Sequence, residues 1–264
     1  MGSATTQALT ATAAALSAAS GVDLDVAGEL FAASRAVGDS SQLSGALADS
    51  AASPVARKKV ITDVFAPVLK PTTVSLLTSV VEQRWSSASD LVEGIEELAI
   101  RSAAIAAPEA DLEGELFRFG RTVAQNPELE LALGSRLGGD TSAKGALVER
   151  LIGGRASAAT TLVVSSLVQQ ARERRVRELL LRATDLVGEQ RGLTVATVTS
   201  AVVLSDAQIE RLASTLSQRY DSTVSINTVV DPAVVGGLRV QIADDVIDAS
   251  VSSRLADLRQ RLAG

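Results

Sequence analysis

Apolar residues recur along most of this chain at helical spacing. Val26, Leu30, Ala33 and Val37 fall on one face, and Leu43 and Leu47 continue a shorter helix. Pro54 suits the first turn of a helix burying Val60, Ile61, Val64 and Phe65, and Pro67 and Pro71 bracket a break after it. Val74 to Trp85 reads as a strongly apolar helix, with Leu77, Val80, Val81 and Arg84 as neighbours, and Leu91 to Ala106 as a longer one. Further helices are predicted at Asp111 to Gln125, Glu128 to Leu137, Ser142 to Ile152, Ala158 to Ala171 and Arg174 to Arg191. Met1 to Ser20 is rich in Ala, Thr and Ser. It offers only a thin face of Leu9, Ala13, Leu16 and Ser20, the pattern of a frayed or weakly docked helix.

The helical part repeats itself. Glu29-Leu30-Phe31 recurs as Glu115-Leu116-Phe117, an offset of 115 − 29 = 86. At that offset Arg35 matches Arg121, Leu43 matches Leu129, Leu47 matches Leu133, Lys58 matches Lys144, Leu76 matches Leu162 and Ser79 matches Ser165. Leu91 and Leu98 match Leu179 and Leu186 at 88. A unit this long points to duplication of a small bundle rather than a solenoid repeat.

After Gly192 the period changes from helix to strand. Thr194 to Val203 is rich in Thr and Val, and Ser205 with Gln208 forms a capping box ahead of a helix carrying Ile209, Leu212, Leu216 and Tyr220 on one side. Val224, Ile226, Thr228 and Val230 alternate as a strand, stopped by Asp231-Pro232. Beyond Gly236-Gly237, Leu238, Val240 and Ile242 form a second alternating strand, and Asp244-Asp245 reads as a hairpin tip before Val246-Ile247. Ser250 can cap a last helix with Val251, Leu255, Leu258 and Leu262 on one face. The expected fold is mostly α with a small α+β C-terminal domain. Its parts are 1–107 and 108–192, two helical bundle copies, and 193–264, the strand and helix domain.

Composition removes most chemistry. The chain of 264 residues has no Cys and no His, which excludes disulfides, thiolate nucleophiles, imidazole bases and His-ligated zinc. A net charge of −6 with 2% aromatic residues argues against nucleic-acid binding. No phosphate-binding glycine motif occurs. Gly138-Gly139, Gly153-Gly154 and Gly236-Gly237 read as turns, and no cofactor is expected. The first basic residue is Arg35, and no run of about 18 apolar residues occurs, so a soluble chain that meets a membrane only through a partner is expected. Asp244, Asp245 and Asp248 form an acidic cluster short of a calcium loop and read as a solvated hairpin with Asp248 as a cap. Arg172, Arg174, Arg175 and Arg177, interleaved with Glu173 and Glu178, are either a solvated helical face or a contact for an acidic partner helix. Trp85 is either core or an interface anchor.

The C-terminal run carries a specific signature: Val230-Asp231-Pro232, Gly236-Gly237-Leu238-Arg239-Val240, Asp245-Val246-Ile247-Asp248, then Ser250, Arg254, Leu255 and Leu258. It resembles the delta subunit of the F-type ATP synthase, the bacterial counterpart of the mitochondrial oligomycin-sensitivity-conferring protein. The likeness extends over 193–264, more loosely over the second helical copy and weakly over the first. The chain departs from the family at Ala243 and Ala249, where the family has Gly, and at Ser252, where it has a basic residue. A second bundle is a further departure, since the family normally has one.

The resemblance implies a non-catalytic stator subunit of the peripheral stalk. By that likeness the helical region binds alpha subunits of the catalytic head, and 193–264 binds the b-type stalk subunits. It also implies a place at the cytoplasmic face of a bacterial cell membrane, held there by partners without direct insertion. Asp231, Pro232, Gly236, Gly237, Arg239, Asp245, Ile247, Asp248, Ser250, Arg254 and Leu255 would be its structural and interface positions. A free-standing helical scaffold is the alternative. An enzyme working with Asp and Glu alone lacks a clear pair of carboxylates.

Overall fold

A computed structural model describes residues 2–134, 141–172, 174–242 and 245–248. The chain divides into two units, Met1–Val187 and Gly188–Gly264. The first is helical: α1 (Ser3–Ala18), α2 (Leu24–Asp39), α3 (Ser41–Ala48), α4 (Pro54–Phe65), α5 (Pro71–Glu82), α6 (Ala88–Ala106), α7 (Leu112–Gln125), α8 (Pro127–Gly134), α9 (Thr141–Ile152), α10 (Ala158–Gln169) and α11 (Val176–Gln190). Short polar side chains fix many of the helix starts. Asp23, Ser40, Ser53, Ser87, Asp111 and Ser157 each accept from the amide three residues on, and Pro54 and Pro71 open α4 and α5.

α2 to α6 recur as α7 to α11. The starts differ by 112 − 24 = 88, 127 − 41 = 86, 141 − 54 = 87, 158 − 71 = 87 and 176 − 88 = 88. The repeated glutamate does the same work in both sets. Glu29 accepts from the Lys70 amide at 2.9 Å and the Thr73 hydroxyl at 2.5 Å, at the start of α5. Glu115 accepts from the Ser157 amide at 3.0 Å, its hydroxyl at 2.7 Å and the Thr160 hydroxyl at 2.5 Å, at the start of α10. A carboxylate there satisfies otherwise unpaired amides and meets the positive end of the helix dipole. The capped residues lie 157 − 70 = 87 apart, one more than the two glutamates. Leu76/Leu162 and Ser79/Ser165, matched at 86 in the sequence, are therefore each one residue out of structural register.

One continuous apolar core runs from Ala8 to Val187, and α6 passes through it. α6 packs on α1, α2, α3, α5 and α10, and buries Leu91, Ile95, Leu98 and Ala99 completely or nearly so. It also buries two carboxylates, Glu96 and Glu97. Arg174 reaches Glu96 with two bonds of 2.8 and 2.9 Å. Glu97 is shared by Arg101, on its own helix, and Arg182 of α11, at 2.8 and 3.0 Å. α6 thus stands to α10 and α11 as α1 stands to α5 and α6. The sequence division at 107/108 falls at its end.

α1 is docked, with Thr5, Ala8, Thr12 and Leu16 buried. That face differs from the Leu9, Ala13, Leu16 and Ser20 stripe, because small residues let α1 approach α5 and α6 closely and the Thr5 hydroxyl donates to Asp90 at 2.7 Å. Trp85 belongs to the core. It is 6% exposed, its Nε1 donates to the Val80 carbonyl at 2.8 Å, and its ring lies so close to Gly94 that a Cβ there would come within 2.1 Å.

The second unit contains β1 (Leu193–Ser200), α12 (Asp206–Tyr220), β2 (Thr223–Val230), β3 (Leu238–Ile242) and β4 (Asp245–Asp248). The sheet order is β2-β1-β3-β4, with β1 and β2 parallel and the other pairs antiparallel. Ala196, Val198, Val224, Val240 and Ile242 form its core with Leu216 of α12. β1 stops at Ser200, short of the expected Val203, where the Ser200 hydroxyl turns onto the Val202 carbonyl at 2.6 Å. The expected last helix, together with Gly138-Gly139, Glu173, Ala243, Asp244, Ala249, Ser250, Ser252, Arg254 and Leu255, lies outside the described residues.

Glu96→Ala leaves Arg174 without its buried partner and is expected to cost about 3 kcal/mol. Asp63→Ala, which removes an exposed pair with Lys59 on α4, is expected to cost at most about 0.5 kcal/mol. Urea unfolding of the two variants checks this contrast.

Candidate functional site

The C-terminal signature builds a turn and a hairpin. The Asp231 amide donates to the Ser200 carbonyl at 2.8 Å, holding the end of β2 beside β1, and the Asp231 carboxylate accepts from the Ala233 amide at 2.9 Å. Asp231-Pro232 thus leaves the sheet through an Asx-type turn. Gly236 and Gly237 have φ of 67° and 79°, a left-handed pair that side chains would strain, and the chain re-enters the sheet directly after them.

Across the hairpin Arg239 faces Asp248, its register partner, at 3.0 Å. Ile247 pairs with Val240 and packs against the sheet core. Asp245 accepts from the Tyr220 phenol at 2.5 Å, tying the end of α12 to β4. That bond, with some burial, pushes the phenol above its ordinary value. Asp245 and Asp248 are therefore each engaged by a side chain. Among the described residues no group of three metal-ligating side chains converges.

The arginine run is divided between the interior and the surface. Arg172 takes φ 53° ahead of α11 and is half-buried, which lowers its pKa. Arg174 is held by Glu96, and Arg177 lies 3.9 Å from Glu130 of α8. Arg175 and Arg177 are exposed.

A different surface went unnoticed in the sequence. A groove of about 340 Å³ lies between α7, α8, α9 and the start of α10, over Phe119, Leu129, Leu151 and Ile152. Arg118 and Arg155 also line it. Glu115 forms part of its wall. Burial pushes the Glu115 carboxyl up, but the hydrogen bonds from Thr160 and Ser157 outweigh that and hold it below the usual carboxylate range.

Comparison with known proteins fits the C-terminal signature. A family model described as ATP synthase delta (OSCP) subunit matches residues 98–262. The chain is 47% identical to an ATP synthase subunit delta of Leifsonia xyli, over all of both chains. It is 39% identical to one of Streptomyces avermitilis, over 94% of this chain and 93% of that one, and 38% identical to one of Kineococcus radiotolerans, over 93% and 91%. A chain of the Toxoplasma gondii mitochondrial ATP synthase aligns over 64% of this chain and 97% of its own, with 17% identity and a TM-score of 0.39.

Glu115→Gln is expected to cost about 1 kcal/mol near neutrality, because the charged cap is lost. The folded pKa of Glu115 lies below its ordinary 4.5, so its contribution is fully present above that value and disappears as pH falls through the lowered one. Melting curves of wild type and variant across that range should converge at acid pH.

Proposed function

The chain belongs to the ATP synthase delta (OSCP) subunit family, and on that premise we propose how it joins the catalytic head of the F-type ATP synthase to the membrane-anchored stalk. It is a structural, peripheral-stalk subunit of that complex. Rotor torque would turn the head during proton-driven ATP synthesis unless a stator held it, and this chain is one link of that stator. The observation that carries the reading is the full-length likeness to ATP synthase subunit delta at 47% identity. A free-standing scaffold leaves that likeness unaccounted for.

The division of labour is part of the proposal. The helical part, in its two copies 1–107 and 108–192 joined through α6, grips N-terminal helices of the alpha subunits. The domain 193–264 meets the C-terminal end of the b-type stalk helices, with the turn at Asp231 and the Arg239–Asp248 hairpin as its frame. The family model begins at residue 98, inside α6, which supports a reading of the second set of helices as the family's common bundle. Helix-in-groove contacts need packed helical surface rather than acid–base groups, and a chain without His or Cys suits them. The chain performs no chemistry of its own. Its place is the cytoplasmic face of the membrane, held by partners. Among the described residues no helix is long and apolar enough to cross a bilayer.

Calorimetry against a synthetic helix copying the N-terminus of the alpha subunit from the same organism tests the assignment. Saturable binding is expected, lost when residues 1–187 are removed. Binding retained by residues 188–264 alone would reverse the roles of the two units.

A further inference from the structure

We infer that the outer edge of β2 joins a second copy of this chain, strand to strand and antiparallel. β2 lies at one end of the order β2-β1-β3-β4, and among the described residues no strand pairs with its outer side. Two bonds fix the direction of its backbone. The Asp231 amide donates to the Ser200 carbonyl of β1, whereas the Val224 amide points the other way and donates to the Ser217 hydroxyl at 2.9 Å. Backbone groups alternate sides along a strand, so Ile226, Thr228 and Val230 turn their amides and carbonyls outward. The two edges of the described sheet differ in protection. β4 has four residues, among them Asp245 and Asp248, and a short charged edge resists pairing. β2 has eight, Thr-Val-Ser-Ile-Asn-Thr-Val-Val, with no charge and no proline. Thr228 and Val230 are exposed, and so are Val202 and Val203, just past the end of β1 that lies beside Val230.

The strand is complementary to itself. Turned about a two-fold axis at Thr228, it sets Ile226 opposite Val230 of the second copy and Thr228 opposite its own equivalent. These positions all point outward, so each pair exchanges both of its backbone hydrogen bonds. On the other face of the strand Asn227 meets Val229. No like charges are brought together, and aliphatic and threonine pairs favour the ladder. A neighbour of another sequence has to supply a matching uncharged strand, whereas a second copy already carries one. The contact is isologous and uses the one unprotected edge of the described sheet. It therefore closes at two copies instead of running on as a fibre. A pair formed this way shields the bare edge of the free chain.

Sedimentation equilibrium of the purified full chain is expected to show monomer and dimer in a ratio set by concentration, with no larger species. Thr228→Lys puts like charges opposite each other at the axis and should weaken the dimer about tenfold. Val246→Lys, on the exposed edge of β4, should leave it unchanged. Amide hydrogen exchange followed by NMR gives a readout that needs no variant. The amides of Ile226, Thr228 and Val230 should be protected in the dimer and lose that protection on dilution, while those of Ser225, Asn227 and Val229 stay protected by β1. The pairing is overturned by a wild-type chain that is monomeric at every concentration, by association that T228K does not weaken, or by equal weakening from V246K. Protection of the three outward amides at every dilution also overturns it, since the chain would then cover the edge itself.

Discussion

Two buried carboxylates on α6 constrain the helical unit. Glu96 and Glu97 sit side by side in a core of Leu, Ile and Ala, where an unpaired charge is costly. Arg174 and Arg182, from the last stretch of the unit, must come to them, with Arg101 completing the set. This fixes where α11 lies relative to α6. Since α6 also carries α1, α2, α3 and α5 on its other contacts, both sets of helices are referred to one axis. The apolar core follows from that arrangement and is continuous from Ala8 to Val187.

A link in a stator transmits force without doing chemistry, and the duplication serves that role in a particular way. Two bundles joined by a flexible linker would hinge under load. Two bundles that share a helix, and whose ion pairs cross from one to the other, have a common interior instead. Both sets also keep the same carboxylate at the start of their fourth helix, Glu29 in one and Glu115 in the other.

Much of this was legible in the sequence. Apolar spacing located the helices, Gly192 marked the change of period, and Asp231-Pro232 and Gly236-Gly237 marked the turns around β3. The repeated Glu-Leu-Phe gave the duplication, though not the purpose of its glutamate, since hydrogen bonds across 41 to 45 residues leave no local pattern. The α1 face was misread because its buried residues are Thr and Ala, which hydrophobic periodicity scarcely registers. The surface reading of the arginine run holds for Arg175 and Arg177 but not for Arg174, because spacing alone cannot tell that it finds a carboxylate 78 residues away. The groove arises from four elements that meet only in the folded chain, so its residues have no common motif.

A shared core and ion pairs that cross between the two helical sets should make them one cooperative body. Differential scanning calorimetry of the full chain tests it directly. Residues 1–187 are expected to unfold in a single transition, with calorimetric and van't Hoff enthalpies in agreement, alongside a separate transition for 188–264. Two resolved transitions within the helical unit, one for each set, would contradict it.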